Sequence, residues 1–139
     1  MKAAICSLLG VLSLGIMATP ASAQTVVSIE REAEIGTIEP EVYSQFLEHL
    51  AGQGIYMGIV SNKRGPVLRL EVTHLGWDRY FGRIIGAEDA PEDKPSPIPV
   101  SMALEGSGIV PGADVWFVGD TSIDMECAHN ARCMPVLVR

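Results

Sequence analysis

Beyond residue 56, hydrophobic positions form a repeating order of short apolar runs and amphipathic stretches. The apolar runs predict strands at residues 58–60, 83–86, 115–118 and 135–138, and the third is continuous in apolar residues, as in a buried parallel strand. Between them, apolar residues at helical spacing and Pro or Gly boundaries predict helices at about 66–75, 97–105 and 122–131. This alternation predicts an α/β fold, an open Rossmann-like parallel sheet with helices on both faces.

The segment before residue 57 has a different pattern. Residues 25–29 are a strand-like run, and Pro40 begins a helix-like stretch that ends at Gly52. Apolar residues in that stretch follow the i, i+3, i+4 spacing of an amphipathic helix: Val42, Tyr43, Phe46, Leu47 and Leu50. A short strand–helix segment, residues 24–56, is therefore predicted ahead of the α/β part at 57–139.

The first 23 residues have the pattern of a secretory signal peptide. Lys2 supplies one positive charge, residues 3–18 are largely apolar, and Ala-Ser-Ala at 21–23 is a small-x-small cleavage site. The apolar run is short for a membrane span and is interrupted by Ser and Gly. We therefore expect a secreted or periplasmic protein that has no membrane association after cleavage.

Charge and cysteine usage narrow the possible partners. All 17 acidic residues follow residue 23, against nine basic ones, so the predicted mature part carries a formal charge of −8. This balance argues against a nucleic-acid or anionic-membrane partner. Cys127 and Cys133 form no C-x-x-C motif, so a zinc site is not indicated, and two buried thiols are favoured over a disulfide.

Polar residues collect where the predicted strands end. Ser61 and Asn62 follow the first strand, Lys94 lies in the loop after the second, and Asp120 and Asp124 follow the third. In an open parallel sheet, ligands bind outside the carboxyl ends of the strands. A hydroxyl with backbone N–H groups binds an anion, a lysine offsets phosphoryl charge, and two carboxylates suit Mg²⁺. The set therefore predicts a phosphoryl-transfer site.

Each residue also has a plainer structural interpretation. Ser61 could cap a helix, Lys94 could be a solvated loop residue, and Asp120 and Asp124 could be an N-cap and a first-turn acid facing the helix dipole. Their occurrence together, in this order, favours a site.

Three motifs then carry a resemblance to a known family. Residues 59–63 (Ile-Val-Ser-Asn-Lys) are a strand ending in Ser, residues 93–97 (Asp-Lys-Pro-Ser-Pro) place a lysine before a proline-marked helix, and residues 115–124 place Asp120 and Asp124 at a strand end. With these motifs, residues 57–139 resemble the carboxyl-terminal part of a haloacid-dehalogenase-type hydrolase near the phosphoglycolate-phosphatase-like branch. The resemblance implies a partial sheet of that fold.

The resemblance also implies roles and a cofactor. Ser61 would hydrogen-bond the transferring phosphoryl oxygen with Asn62 beside it, and Lys94 would offset charge on the phosphoryl group and the nucleophile. Asp120 would bind Mg²⁺, supported by Asp124. The implied partner is a small phosphorylated substrate.

The family's first motif, Asp-x-Asp, which supplies the nucleophile, is missing. The first of the six aspartates in this sequence is Asp78. In the family the strand that carries this motif lies centrally in the sheet, so its loss predicts a gap with exposed backbone groups. Glu30 and Glu32 follow an apolar run and imitate the motif, but each is one methylene longer. We therefore expect negligible phosphatase activity from this chain alone.

The amino-terminal segment resembles a different family. Tyr43, Phe46, Glu48, His49 and Leu50, followed by Gly54-Ile55-Tyr56, are similar to the opening of retaining α-L-arabinofuranosidases over residues 25–56. The resemblance implies that Glu48 would help to bind a sugar. Glycoside hydrolysis needs two carboxylates that flank the bond, so this segment alone would not supply it. The sequence thus predicts a chimeric join near residues 56 and 57.

Three hypotheses follow. The first is a Mg²⁺-dependent phosphatase of small phosphomonoesters with an incomplete catalytic set. The second is a fragment of a secreted arabinofuranosidase, and the third is a non-catalytic anion-binding module.

Overall fold

In the computed structural model, residues 3–6, 24–27 and 40–138 are described, the first two segments and residues 40–42 as backbone. Strands and helices alternate as the sequence predicts, which confirms the α/β fold. The strands are β1 (Ala3–Cys6), β2 (Gln24–Val27), β3 (Tyr56–Arg64), β4 (Arg83–Ala87), β5 (Val115–Gly119) and β6 (Met134–Leu137). The helices are α1 (Pro40–Gly52), α2 (Gly65–His74), α3 (Ile98–Leu104) and α4 (Ser122–Asn130), with a 3₁₀ turn at Asp78–Tyr80.

The described strands form one sheet in which all pairings are parallel. β4 and β3 lie on one side, β5 and β6 on the other, and both β1 and β2 pair between β3 and β5. The expected gap in the centre of the sheet is therefore wrong, because backbone from the amino-terminal part fills it. β1 lies inside the segment that the sequence predicts as a signal peptide.

Alternating side chains of the inner strands build a core on each face. On β3, Val60 packs in a cluster with α3 and α4, whereas Met57 and Ile59 pack in a second cluster with α1 and α2. On β5, Phe117 joins the first cluster and Val118 the second. This two-residue period is that of a sheet covered on both faces, as predicted.

Helix α1 is packed into the second core cluster. Its Leu47 is buried, and Tyr43 stacks edge-to-face on Trp77 with ring centroids 6.0 Å apart. The Trp77 indole N–H donates to Ser44 Oγ at 2.8 Å. The predicted boundary between residues 56 and 57 falls between the first two residues of β3. The helix and the sheet therefore share one core on this face.

Two further features bear on the expectations from sequence. Cys127 and Cys133 are both buried free thiols, as predicted. Within the described part of the chain, the helices are too short or too polar to cross a bilayer.

Candidate active site

The end of β3 carries the first candidate residue. The sequence predicts a strand that stops at Ser61, whereas β3 continues to Arg64. Its pairing with β4 is regular as far as Val60 and resumes with Arg64 opposite Ala87, so residues 61–63 form an irregular stretch. Ser61 is buried, and its Oγ accepts a hydrogen bond from the Lys63 backbone N–H at 3.1 Å. Ser61 is therefore held at a bulge and is not a helix cap.

Sheet register brings the ends of β3 and β5 to one level. Ile59 and Val118 are both partners of Cys6 and of Val27 in the intervening position. Ser61 and Asp120 each lie two residues beyond these partners. Neighbouring strands are about 4.8 Å apart, which separates the two backbones by about 10 Å across the central strand. The predicted phosphate-binding serine and metal-binding aspartate thus flank one edge of the sheet.

Lys94 and Asp124 are joined by a buried ion pair. Lys94 Nζ lies 2.8 Å from Asp124 Oδ1, and both side chains are 0% exposed. Lys94 reaches this position from the loop between β4 and α3, whereas Asp124 lies in the first turn of α4. Lys94 is therefore not a solvated loop residue, and the structure brings two of the predicted site residues into direct contact.

The second oxygen of Asp124 is also engaged. Asp124 Oδ2 accepts hydrogen bonds from the Thr121 backbone N–H at 3.0 Å and from Thr121 Oγ1 at 2.7 Å. In return Thr121 Oγ1 accepts from the Asp124 backbone N–H at 3.3 Å, which completes a capping box. The N-cap of α4 is Thr121, not Asp120. Asp124 is therefore an acid in the first turn of α4, as the plainer interpretation of the sequence expects, and it is also the partner of Lys94.

One face of α4 holds the segment that carries Lys94. The Cys127 thiol donates to the Ser96 carbonyl at 3.3 Å, and the Asn130 side-chain amide donates to the Pro95 carbonyl at 3.0 Å. Together with Asp124, these residues recur every three positions along the helix. Sequence reasoning missed the roles of Thr121, Cys127 and Asn130. The Thr-x-x-Asp pattern of a capping box could have identified Thr121 from the sequence. The partners of Cys127 and Asn130 depend on tertiary packing.

The burial of Asp124 depends on a glycine at the end of β5. A Cβ atom at Gly119 would come within 2.4 Å of Asp124 Cβ, which real side chains do not tolerate. Only glycine therefore allows the carboxylate to lie against this backbone.

The loop that follows β4 is fastened to α2 at its other end. The Arg69 guanidinium donates to both carboxylate oxygens of Asp89, at 2.6 and 3.2 Å, and the Gly86 backbone N–H donates to Asp89 Oδ2 at 2.8 Å. The Arg69 hydrogen bond is the main reason why the pKa of Asp89 lies below its ordinary value. Both ends of the Lys94 loop are thus fixed.

The fit of Mg²⁺ can be judged from the donor set. Among the described residues, no group of three or more His, Cys, Asp or Glu side chains lies close enough to hold a metal ion. Both Asp124 oxygens are already hydrogen-bonded. Asp120 is then the carboxylate placed to offer a direct ligand, and Mg²⁺ sites at phosphate-binding edges commonly use one or two carboxylates with substrate phosphate and water. The residues suit Mg²⁺ only together with a phosphate.

The remaining candidates are dispersed. Asn62 follows Ser61 in the irregular part of β3 and is half-buried, whereas Glu48 and His49 are exposed on α1. Glu30 and Glu32 lie outside the described residues. The structure therefore collects Ser61, Lys94, Asp120 and Asp124 at one edge and leaves the sugar-binding candidate on a helix surface.

A parallel α/β sheet with Ser, Lys and two Asp residues at its carboxyl edge is the arrangement that the three sequence motifs predict. The model of the haloacid dehalogenase-like hydrolase family matches residues 20–138. The chain belongs to this family. The matched range includes all of residues 25–56, the segment that resembles arabinofuranosidases, and that resemblance stays a prediction.

Relatives and solved structures agree with this assignment. The chain is 37% identical over 90 residues to a phosphoglycolate phosphatase of Pectobacterium atrosepticum, covering 65% of this chain and 38% of the relative. It is 34% identical over 104 residues to that of Escherichia coli K12, covering 75% and 41%. The chain therefore spans about two fifths of the length of these curated relatives.

Among solved structures, a HAD-superfamily hydrolase from Ehrlichia chaffeensis superposes with a TM-score of 0.66 at 37% identity, covering 76% of this chain and 51% of that one. A HAD-superfamily hydrolase of subfamily IA from Geobacter sulfurreducens gives a TM-score of 0.63 at 28% identity, covering 70% and 49%. The fold of the described residues is thus that of the family.

Proposed function

We propose that this chain binds the phosphate group of a small phosphomonoester together with Mg²⁺ and hydrolyses it negligibly. The observation that carries the proposal is the buried Lys94–Asp124 pair at the same edge as Ser61 and Asp120. A buried lysine held in place by Asp124 is a preorganised positive charge, which is what an anion-binding edge requires. The proposal covers both the inactive phosphatase and the non-catalytic anion-binding module, which differ only in turnover.

Each residue has a physical role in this proposal. Ser61 would donate its hydroxyl proton to a phosphoryl oxygen, with Asn62 beside it. Lys94 would offset the negative charge of the phosphoryl group, and Asp124 would hold the lysine in place and orient the Thr121 turn. Asp120 would hold Mg²⁺, which when bound neutralises phosphate charge.

The incomplete catalytic set explains the expected lack of turnover. Family members attack phosphorus with an aspartate of the first motif, and no aspartate precedes Asp78 in this sequence. Without a nucleophile, the remaining residues bind and neutralise a phosphate but form no covalent intermediate. Because the relatives are described as phosphoglycolate phosphatases, the first ligand to test is phosphoglycolate, a small phosphomonoester that carries one carboxylate.

Binding is best tested by titration calorimetry of the full chain with inorganic phosphate and with phosphoglycolate, each with and without Mg²⁺. We expect binding that strengthens when Mg²⁺ and phosphate are present together, since Asp120 alone is a poor Mg²⁺ site. Ser61→Ala should weaken it at least about tenfold, the effect of one hydrogen bond to a charged group, and Asp120→Asn should weaken the binding measured with Mg²⁺ by a similar factor.

Matched controls exist for both variants. Ser101 is an exposed serine on α3, and Asp114 is an exposed aspartate at the opposite, amino end of β5. Ser101→Ala and Asp114→Asn should bind as the unmodified chain does. Absence of phosphate binding under all conditions would contradict the proposed site.

Turnover separates the remaining alternatives. Phosphate release from phosphoglycolate with Mg²⁺ should stay at the rate without protein, and clear turnover that Asp120→Asn abolishes would contradict the expected inactivity. Release of arabinose from an aryl arabinofuranoside would instead favour the glycosidase fragment.

A further inference from the structure

The irregular stretch of β3 that carries Ser61 departs from the regular pairing with β4. Val60 lies opposite Ile85 and Arg64 lies opposite Ala87, so β3 advances four residues where β4 advances two. A bulge of this kind leaves backbone outside the ladder of strand hydrogen bonds. Other contacts therefore hold Ser61 at the carboxyl edge of the sheet.

Three contacts of Lys63 act in place of the interrupted ladder. Its backbone N–H donates to Ser61 Oγ at 3.1 Å. Its carbonyl oxygen lies so close to Gly86 of β4 that a Cβ atom added there would come within 2.6 Å of it. Its ammonium donates to both carboxylate oxygens of Glu71, at 2.7 and 2.8 Å. Lys63 is thus held through its backbone and its side chain together.

Glu71 is a firm anchor because α2 is packed into the core. It directly precedes Val72 and follows Leu68 by three positions, and both of these side chains are buried in the second core cluster. The Lys63 and Glu71 side chains are themselves 31% and 35% exposed. An ion pair with this much exposure adds little to the free energy of unfolding. Its main effect is therefore on the position of Lys63.

The hydrogen bond from Lys63 decides what the Ser61 hydroxyl can do. Because Oγ accepts from the Lys63 N–H, the hydroxyl proton points away from that N–H and can be donated to an anion. The N–H stays aligned with Oγ only while Lys63 is held. A carboxylate repels an anion, so Glu71 can favour phosphate only through Lys63 and Ser61.

We propose that Glu71 is a positioning residue of the candidate site: through its ion pair with Lys63, it sets the hydrogen bond that orients the Ser61 hydroxyl toward a phosphoryl oxygen. This inference rests on the proposed binding of phosphate by Ser61. The alternative is that Lys63 contacts the phosphate directly and that Glu71 competes for its ammonium. The two predict opposite changes in phosphate affinity when the carboxylate is removed.

Glu71→Gln tests the sign of that change in the full chain, by titration calorimetry with inorganic phosphate and Mg²⁺. We expect phosphate to bind about three- to tenfold more weakly, because the Ser61 hydroxyl is misplaced but still present. If Lys63 were the direct ligand, the variant would bind phosphate as tightly as the unmodified chain or more tightly, since a competing negative charge is gone. That result would overturn the proposal.

Glu105→Gln is the matched control. It removes the same charge from another ion pair, in which the Glu105 carboxylate lies 2.9 Å from the guanidinium of Arg83. Arg83 is the first residue of β4, so this pair lies at the amino edge of the sheet, opposite the candidate site. The control variant should bind phosphate as the unmodified chain does.

A Ser61→Ala background separates positioning from a general loss of structure. If Glu71 acts through the serine hydroxyl, Glu71→Gln should weaken phosphate binding no further once that hydroxyl is absent. A purely structural effect of Glu71 would lower the affinity by the same factor in both backgrounds, and would overturn the proposal.

Amide hydrogen exchange tests the same contact without phosphate. We expect Glu71→Gln to speed the exchange of the Lys63 N–H at least about tenfold, while Ile59 in the regular part of β3 keeps its rate. An unchanged rate at Lys63 would overturn the proposal whether or not phosphate binds. If the unmodified chain bound no phosphate while the Lys63 rate rose as expected, the proposed function would fail and the hold of Glu71 on Ser61 would stand.

Discussion

The ammonium of Lys94 and the carboxylate of Asp124 form an ion pair that no solvent reaches, with Nζ 2.8 Å from Oδ1. It joins the loop after β4 to the first turn of α4, and the two residues are 30 positions apart in the sequence. Charges removed from water are tolerated only when they are paired and hydrogen-bonded. The residues proposed to handle a phosphate therefore also hold the carboxyl edge of the sheet together.

Breaking this pair on one side should be strongly destabilising. Lys94→Met leaves Asp124 as a buried, uncompensated charge, and Asp124→Asn does the same to Lys94, so each should lower the free energy of unfolding by about 3–5 kcal/mol. The double variant contains no charge at this position and should lose clearly less than the sum of the two. Urea unfolding of the four proteins measures this coupling, and additive losses would contradict a tightly coupled pair.

The N-cap of α4 should contribute less to the free energy of unfolding than the Lys94–Asp124 pair does. Thr121→Ala removes the hydroxyl that accepts from the Asp124 N–H and should lower the free energy of unfolding by about 1 kcal/mol. For a chain of 139 residues that corresponds to a fall in Tm of roughly 3–5 °C. Thr121→Ser keeps the hydroxyl and should stay near the unmodified Tm. Equal losses in both variants would show that the methyl group, not the cap, matters.

Gly119 should be intolerant of a side chain. Gly119→Ala would press a methyl group against Asp124 Cβ and should cost about 1–3 kcal/mol of unfolding free energy while loosening the Lys94 pair. Gly112→Ala is the control, because the nearest atom to its new Cβ is 3.9 Å away. That variant should be neutral, or more stable by up to about 1 kcal/mol. Similar thermal melts for the two alanine variants would refute the steric argument.

The sequence predicted most of the α/β alternation because local signals mark its elements. The helix predicted at about 122–131 is observed as Ser122–Asn130, and the strand predicted at 83–86 as Arg83–Ala87. The extension of β3 to Arg64 was not predictable, since it depends on pairing with Ala87 beyond a bulge. β1 was missed for a similar reason. An apolar run near a chain start is typical of a signal peptide, and pairing with residues more than fifty positions away leaves no local trace.

The candidate site likewise has residues that local sequence signals identify and contacts that such signals do not reveal. Ser61, Lys94, Asp120 and Asp124 were identified because strand-end positions and their motifs are visible in the sequence. The pairing of Lys94 with Asp124 was not, and the sequence assigned the second aspartate to the metal. The structure occupies both its oxygens with Lys94 and Thr121, because side-chain partners are decided by tertiary packing.

The two buried thiols should be unreactive in the native chain. Burial raises the pKa of Cys127 to about 12 and that of Cys133 to about 11. At pH 8 the thiolate fraction of each cysteine is then lower than that of a free thiol by a factor of about 100 or more. Alkylation should be slower by at least that factor. Mass spectrometry after iodoacetamide, in a Cys6→Ser variant, should find neither thiol modified until urea is added. Rapid stoichiometric labelling of the native protein would contradict the burial.

The Arg69–Asp89 contact should make stability depend on pH in acid. The hydrogen bond from Arg69 holds the pKa of Asp89 below its ordinary value of 3.8, so the folded state favours the carboxylate. Its contribution is present above about pH 4 and is lost as pH falls toward the lowered pKa. The difference in Tm between the unmodified chain and Asp89→Asn should therefore be largest above pH 5 and should shrink below pH 4. Glu92→Gln changes an exposed acid of the same loop and serves as the matched control. If the Asp89→Asn difference is the same at pH 6 and pH 3, the ion pair does not stabilise the loop that carries Lys94.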